Sequence, residues 1–344
     1  MALLEVEDLE VRFHTRAGLV RAVNGVSFAV EAGETVGLVG ESGSGKSITS
    51  LALIGIVPGR HTEVKASRLS FDGVELLGLS EAELRRRRGR DLAIVFQNPT
   101  TSLNPVIKIS KQITEALQAH DSIGRGAARR RAAELLVQVG IPDPERVLKS
   151  YPHRLSGGMC QRVMIAIALA LKPKLLIADE PTTALDVTIQ AQVLEVMRTL
   201  TRENGTALIL ITHDLGVVAA MAQKVNVMYA GRIVESGSTG DIFGRPRHPY
   251  TVGLLRSIAR PDRDAGAALA AIPGQPPDSN EIPQGCPFAP RCAWRIERCT
   301  SEEPQLRSDG DHPSQSFTCH NPVTGAEATA GRPLRRAAAP GAEP

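Results

Sequence analysis

No uninterrupted apolar run in the 344 residues approaches the roughly 18 that a membrane helix needs, so the chain is not expected to span a bilayer. Its first residues, Met1-Ala2-Leu3-Leu4-Glu5-Val6-Glu7, turn acidic almost at once and lack the charged leader, apolar core and small-residue cleavage site of a secretory signal. A cytoplasmic protein is expected. An excess of one charge is lacking too: 40 Lys and Arg against 37 Asp and Glu leave a net +3, too little to argue for nucleic acid by itself. The local runs Arg85-Arg86-Arg87-Arg88 and Arg129-Arg130-Arg131 read as solvated helix faces. At this length about two domains and a sizeable core are expected.

The stretch Gly40-Glu41-Ser42-Gly43-Ser44-Gly45-Lys46-Ser47 fits G-x-x-x-x-G-K-[ST], the phosphate-binding P-loop. A glycine-rich turn ahead of an ordinary helix would carry the same bare pattern, so context decides. Glu34-Thr35-Val36-Gly37-Leu38-Val39 reads as a short buried strand before it, and residues 47–54 as a helix after it that stops before Pro58-Gly59. The glycines let backbone N–H groups turn inward around phosphates, and the helix N-terminus favours negative charge. Lys46 is expected to reach the β and γ phosphates, and the Ser47 hydroxyl to hold Mg²⁺.

Before the P-loop, Leu9-Glu10-Val11-Arg12-Phe13 and Val26-Ser27-Phe28-Ala29-Val30 alternate as strands do, with Gly18 and Gly25 as turn signals, so an antiparallel sheet is expected. After it, the β pattern continues through Ser70-Phe71 and Asp72-Gly73, a charged helix follows Ser80, and Leu92-Ala93-Ile94-Val95-Phe96 is an apolar strand closed by Gln97. Residues 98–172 read as a helical insertion. Within it Leu155-Ser156-Gly157-Gly158-Met159-Cys160-Gln161-Arg162 opens a helix with Ser156 as a natural N-cap. Leu175-Leu176-Ile177-Ala178-Asp179-Glu180 and Leu208-Ile209-Leu210-Ile211-Thr212-His213 are apolar runs of the kind buried parallel strands show. They end in two carboxylates and a histidine, at the strand ends where open α/β sheets bind ligands.

The P-loop, Gln97, the Leu-Ser-Gly-Gly segment, the strand ending in Asp179-Glu180, Leu185-Asp186 and His213 stand in the order found in ATP-binding subunits of ABC transporters, which the chain resembles over roughly residues 3–258. The stretches Gln97-Asn98-Pro99-Thr100-Thr101-Ser102-Leu103-Asn104-Pro105, Pro181-Thr182-Thr183-Ala184-Leu185-Asp186-Val187-Thr188 and His248-Pro249-Tyr250-Thr251 look like the dipeptide and oligopeptide importer branch. Ser156-Gly157-Gly158-Met159 is more similar to its D-type than to its F-type subunit. Cys160 departs from the arginine usual there and is expected to alter local charge without abolishing activity.

The resemblance implies an α/β P-loop NTPase fold of the ABC type with an antiparallel β subdomain and a helical subdomain. It implies an ATPase in which Glu180 is the general base, Asp179 binds Mg²⁺ through water, His213 contacts the γ phosphate and the catalytic carboxylate, and Gln97 completes the Mg²⁺ shell. Taken singly, an Asp-Glu pair after an apolar strand could equally cap the next helix. Phe13 is the expected adenine-stacking aromatic, although an alternating strand also needs core aromatics. Ser156, Gly157 and Gly158 would close over ATP held by a second subunit, with Gln161 and Asp186 also counted among the nucleotide-site residues. One P-loop and one such segment make half of each of two sites, so a dimer is implied, with an F-type subunit as the partner. Two transmembrane permease subunits are implied as further partners and a solute-binding protein as an indirect one, with the chain peripheral on the cytoplasmic face of the membrane. Relatives of the branch serve dipeptides, longer peptides, glutathione or nickel.

Four of the five cysteines, Cys286, Cys292, Cys299 and Cys319, fall within 34 residues. Such clustering in an otherwise cysteine-poor cytoplasmic chain argues for metal over disulfides. Neither short spacing, C-x5-C or C-x6-C, is as tight as structural zinc pairs usually are, and four thiolates on loops suit a [4Fe–4S] cluster. Zinc and unligated thiols remain open on the residues alone. The D-type subunits carry a similar pattern, which implies the cluster here. The expected division is an ATPase domain over 1–258, a small Fe–S-type domain over 259–322 and a disordered Ala/Gly/Pro/Arg tail over 323–344. A competing reading is a soluble ABC ATPase with a redox-sensing Fe–S domain.

Overall fold

A computed structural model describes residues 2–324 except 17, 60, 184, 258–271, 279, 281 and 282. The expected tail thus lies almost wholly outside the described residues. Two sheets organise the rest. The smaller is antiparallel and dominated by two long strands, Leu4–Thr15 and Gly18–Val30, paired from Leu4 opposite Val30 to Thr15 opposite Gly18. Short strands Thr62–Lys65 and Arg68–Phe71 both pair with the first of them, and Val74–Glu75 pairs with Arg68–Phe71. Here the sequence reading needs correction. Asp72-Gly73 is not strand but the two-residue turn of a hairpin, with φ of +51° and +76° and Phe71 opposite Val74. Asp-Gly is the pair that such a turn favours, because both central residues need positive φ.

The larger sheet holds the parallel strands Leu92–Val95, Leu175–Asp179, Ala207–Thr212, Thr35–Val39 and Lys224–Tyr229, adjacent in that order. Their apolar runs are explained by cover on both faces. In Leu175–Asp179, Leu176 and Ala178 join the core shared with the helical insertion, whereas Leu175 and Ile177 join the core under the antiparallel sheet. This alternation follows from the twofold period of a strand. The insertion runs through helices Ile109–Gln118, Arg125–Gln138 and Pro144–Lys149 to Gly157–Ala168. Its basic run meets carboxylates, Arg129 with Glu145 and Arg131 with Glu134.

The carboxyl-terminal residues continue the same architecture. Strand Arg232–Ser238 pairs antiparallel with Lys224–Tyr229, then with Ser316–Phe317, which in turn pairs with Arg307–Ser308. Cys286, Phe288 and Cys299 share one core with Val39, Tyr229 and Tyr250. That core begins directly under the strand that feeds the P-loop.

Candidate active site

The P-loop sits between strand Thr35–Val39 and helix Lys46–Leu53, at the carboxyl edge of the parallel strands. Two of its glycines are sterically required. Gly40 has φ of +155° and any Cβ there would collide with the Met228 carbonyl, while Gly45 has φ of +102° and a Cβ would lie 2.5 Å from the Ala22 carbonyl oxygen. The backbone thus packs against Met228 and Ala22 as closely as side-chain-free residues allow. Lys46 is only 5% exposed, and its Nζ donates to the carbonyls of Gly40 and Glu41 (2.8 Å each) and to Ser44 Oγ (3.3 Å). Burial pulls its ammonium below the ordinary lysine value, opposed by the charges of Glu180, Asp179 and Glu41.

The strand ends deliver the acidic groups to this loop. Asp179 Oδ1 accepts from Ser47 Oγ at 3.1 Å, so the two expected Mg²⁺ ligands meet directly. Burial raises the Asp179 carboxyl, as does Glu180 beside it, against the Ser47 hydroxyl and the Lys46 charge. Glu180 follows at φ of +46°, a left-handed conformation that non-glycine residues adopt rarely and that concentrates at functional sites. Three side chains fix its carboxylate: Gln97 Nε2 and Thr183 Oγ1 each donate to Oε2 at 2.8 Å, and His213 Nδ1 lies 3.2 Å from Oε1. Burial pushes the Glu180 carboxyl up, but Thr183, His213 and Lys46 outweigh it and hold the group below the usual glutamate range. It is therefore an ionised acceptor at neutral pH, able to take a hydrogen bond from water. Gln97, Glu180 and His213, 116 residues apart in sequence, form one constellation.

Other predicted residues lie elsewhere. Phe13 is half-buried in the antiparallel sheet, opposite Val20 on one side and Thr62 on the other, and packs against the core. Ser156 caps its own helix, its exposed hydroxyl accepting from the Met159 N–H at 3.3 Å. Gly157 and Gly158 approach Leu185 and Ile189 rather than the phosphate loop. Asp186 likewise caps the helix Val187–Asn204, accepting from the Ile189 N–H at 3.0 Å. Gln161 is 1% exposed, with no hydrogen-bond partner for Nε2 among the described residues. Cys160 is buried rather than at the surface: its thiol lies 3.5 Å from the Pro152 carbonyl, and burial raises its pKa. Among the described residues no three Cys, His, Asp or Glu side chains form a group that could hold a single metal ion, the four clustered cysteines included.

Three contributors escaped the sequence reading, among them Tyr250, whose hydroxyl accepts the Glu41 N–H. Thr183, three residues beyond Glu180, was visible only as part of the Pro-Thr-Thr stretch. Arg291 reaches the P-loop from 250 residues away and pairs with the Glu41 carboxylate, which no local pattern signals.

Comparison with known proteins agrees with this geometry. A model described as "ABC transporter" matches residues 23–183, and one described as "Oligopeptide/dipeptide transporter, C-terminal region" matches residues 234–299. The oligopeptide transport ATP-binding protein OppD of Bacillus subtilis is 50% identical over 319 residues, covering 92% of this chain and 89% of its own length. The dipeptide transport ATP-binding protein DppD of Escherichia coli is 50% identical over 335 residues, covering 97% and 99%. Among solved structures, the dimeric ATP-binding cassette MJ0796 bound to ADP and phosphate superposes with a TM-score of 0.61 at 25% identity, over 69% of this chain and 98% of that one. CbiO1 of Clostridium perfringens, part of an ABC transporter complex, gives 0.59 at 28% identity, over 70% and 90%. Among the described residues no helix is long and apolar enough to cross a membrane. With the P-loop, the Asp179-Glu180 strand end and the carboxyl-terminal match together, the chain belongs to the ABC transporter ATP-binding subunits of the oligopeptide/dipeptide family and is an ATPase.

Proposed function

We propose that this subunit energises import of di- or oligopeptides, seated peripherally on the cytoplasmic face of the membrane against two permease subunits. The observation that carries the catalytic part is the Glu180 carboxylate, ionised and gripped by Gln97, Thr183 and His213 beside Lys46. Such a carboxylate can orient and deprotonate an attacking water, while the P-loop amides and Lys46 offset charge on the γ phosphate. Ser47, Asp179 and Gln97 would hold Mg²⁺, and the direct contact of Ser47 with Asp179 fits a shared cation between them. Bound there, the ion would neutralise developing phosphate charge. Ser156, Gly157 and Gly158 stand exposed or half-exposed at a helix N-terminus, which suits them to the nucleotide of a second, F-type subunit. The peptide class rests on the relatives' names and the carboxyl-terminal match. Co-expressed with the F-type subunit, its two permeases and a solute-binding protein, the complex is expected to hydrolyse ATP faster when peptide is supplied, and not with nickel or glutathione. Full activity without any membrane partner would overturn the importer reading.

The carboxyl-terminal thiols fit an iron–sulfur cluster held by Cys286, Cys292, Cys299 and Cys319. Burial raises three of them, Cys292 and Cys319 to about 12; Cys292 also feels the charges of Cys319, Cys286 and Cys299, and Cys319 those of Cys286 and Cys299, which supports a common site. The backbone N–H of Phe288 points at the Cys286 sulfur, that of Trp294 at Cys292 and that of Asn321 at Cys319. Amides aimed at sulfur stabilise thiolates and tune clusters. A single zinc needs its sulfurs within about 2.3 Å of one point, and the described residues offer no such group. The cluster would serve as a structural tie for residues 272–324. Protein purified without oxygen is expected to carry about four irons and four sulfides per chain, lost together in Cys292→Ser. Stoichiometric zinc, or no metal, would overturn it.

A further inference from the structure

The second residue of the P-loop is held at both ends by the carboxyl-terminal half of the chain. The Glu41 N–H donates to the Tyr250 hydroxyl at 2.8 Å. Its carboxylate takes a bidentate pair from Arg291, Nη1 to Oε2 at 2.6 Å and Nη2 to Oε1 at 2.9 Å. Neither partner is a loose surface group. Arg291 is 3% exposed at its side chain, its Nε donates to the Pro273 carbonyl at 3.0 Å, and its guanidinium lies 5.8 Å from the Tyr229 ring and 5.9 Å from that of Phe288. Tyr250 is fully buried and packs on the same two rings, at 4.6 and 5.4 Å between centroids. Pro276, Pro277 and Asp278 close over Ser42 to Ser44 around a void of about 20 Å³.

Glu41 passes this restraint on. Its carbonyl accepts from Lys46 Nζ, the group that must turn to the phosphates. A shift of Glu41 therefore moves the lysine's anchor. A bidentate arginine–carboxylate pair is directional as well as strong, and removing one partner leaves a buried charge uncompensated. Arg291 also directly precedes Cys292, so the arginine's position is set by the cysteine-bearing loop.

We propose that Arg291 is a positioning residue of the ATP site: through Glu41 it sets the P-loop from the carboxyl-terminal segment, so that nucleotide binding and the packing of that segment are thermodynamically linked. The linkage rests on the ATP-site reading and needs no particular occupant at the cysteines. Linkage is reciprocal, so nucleotide must also act on the segment. Trp294, the only tryptophan in the chain, lies buried three residues beyond Arg291 and reports that effect.

The test uses the full-length protein, a non-hydrolysable ATP analogue with Mg²⁺, and two readouts: Trp294 emission and displacement of a fluorescent nucleotide. Wild type is expected to shift its Trp294 emission with the same midpoint as nucleotide binding. Arg291→Met and Glu41→Gln are each expected to weaken nucleotide affinity about tenfold and to abolish the emission shift. Their double variant should be no worse than either alone. In Arg291→Met, KM should rise while kcat at saturation stays close to wild type, since Arg291 does not touch the reacting atoms. Arg291→Lys, which keeps the charge without the fork, should fall between. If Arg291→Met does not fold, Glu41→Gln, which keeps the side-chain shape, carries the test. Affinity within twofold of wild type in the folded variants, or silent Trp294 in a wild type that binds nucleotide, overturns the linkage alone. A wild type that binds no nucleotide overturns the ATP-site reading with it.

Discussion

Glu180→Gln is expected to lower steady-state ATP turnover by about a thousandfold while leaving MgATP binding within a few-fold of wild type. The substitution keeps the side chain's length and the left-handed backbone at residue 180 while removing the base. It also sets donor against donor: both carboxylate oxygens now accept, from Gln97, Thr183 and His213, and an amide NH₂ on one side cannot. Water would lose its acceptor and the constellation part of its grip. Lys46, Ser47 and the loop amides, which carry the affinity for phosphates, are untouched. Phosphate release under saturating ATP, paired with nucleotide displacement, separates the two effects. Residual turnover above about a tenth of wild type would reassign the base, because general base catalysis contributes 10²–10⁴-fold. His213 would then be the next group to test, since it stands on the same carboxylate.

The parts of this site that sequence made legible are those whose chemistry is local. Gly40 to Ser47 announces itself because a phosphate cradle needs those residue types within one turn. Asp179, Glu180 and His213 were findable because each ends an apolar strand, and parallel strands aligned in a sheet bring their ends together. The Glu180–His213 contact required only that their two strands be neighbours, which they are. Asp72-Gly73 was misread because a strand pattern flows straight through a two-residue turn, although the dipeptide itself carried the signal. That Cys160 is buried was not legible for another reason: whether a side chain on a helix's first turn faces solvent or core depends on helix phase. Arg291 and Tyr250 were invisible as site residues because nothing near them in sequence resembles a nucleotide site. Their role exists only once 209 and 250 residues of chain have folded back onto Glu41.

Acidification is expected to loosen this carboxyl-terminal packing, through His248. The ring is fully buried, and burial lowers its pKa to about 3. Its hydrogen bonds fix a neutral tautomer, with Nδ1 accepting from the Tyr250 N–H at 3.1 Å and the other nitrogen donating to the Thr318 backbone. A second proton on the ring would face the Tyr250 N–H head on. In the unfolded chain the same group titrates near 6.5. Between those values the unfolded state binds the extra proton, so the contribution is fully present above about pH 6.5 and is lost as pH falls, at close to 1.4 kcal/mol per unit. By pH 5 the loss reaches about 2 kcal/mol. Glu235, which accepts the His248 backbone N–H at 2.9 Å, runs the other way, since burial raises its carboxyl. His248→Asn isolates the imidazole, because asparagine can still cap the helix Pro249–Arg256 but does not titrate. Urea unfolding followed at Trp294 should show the wild type losing about 2 kcal/mol more than the variant between pH 7.5 and pH 5. Equal losses would mean that the folded ring accepts its proton as readily as the unfolded one, so that neither its burial nor the Tyr250 N–H sets its titration.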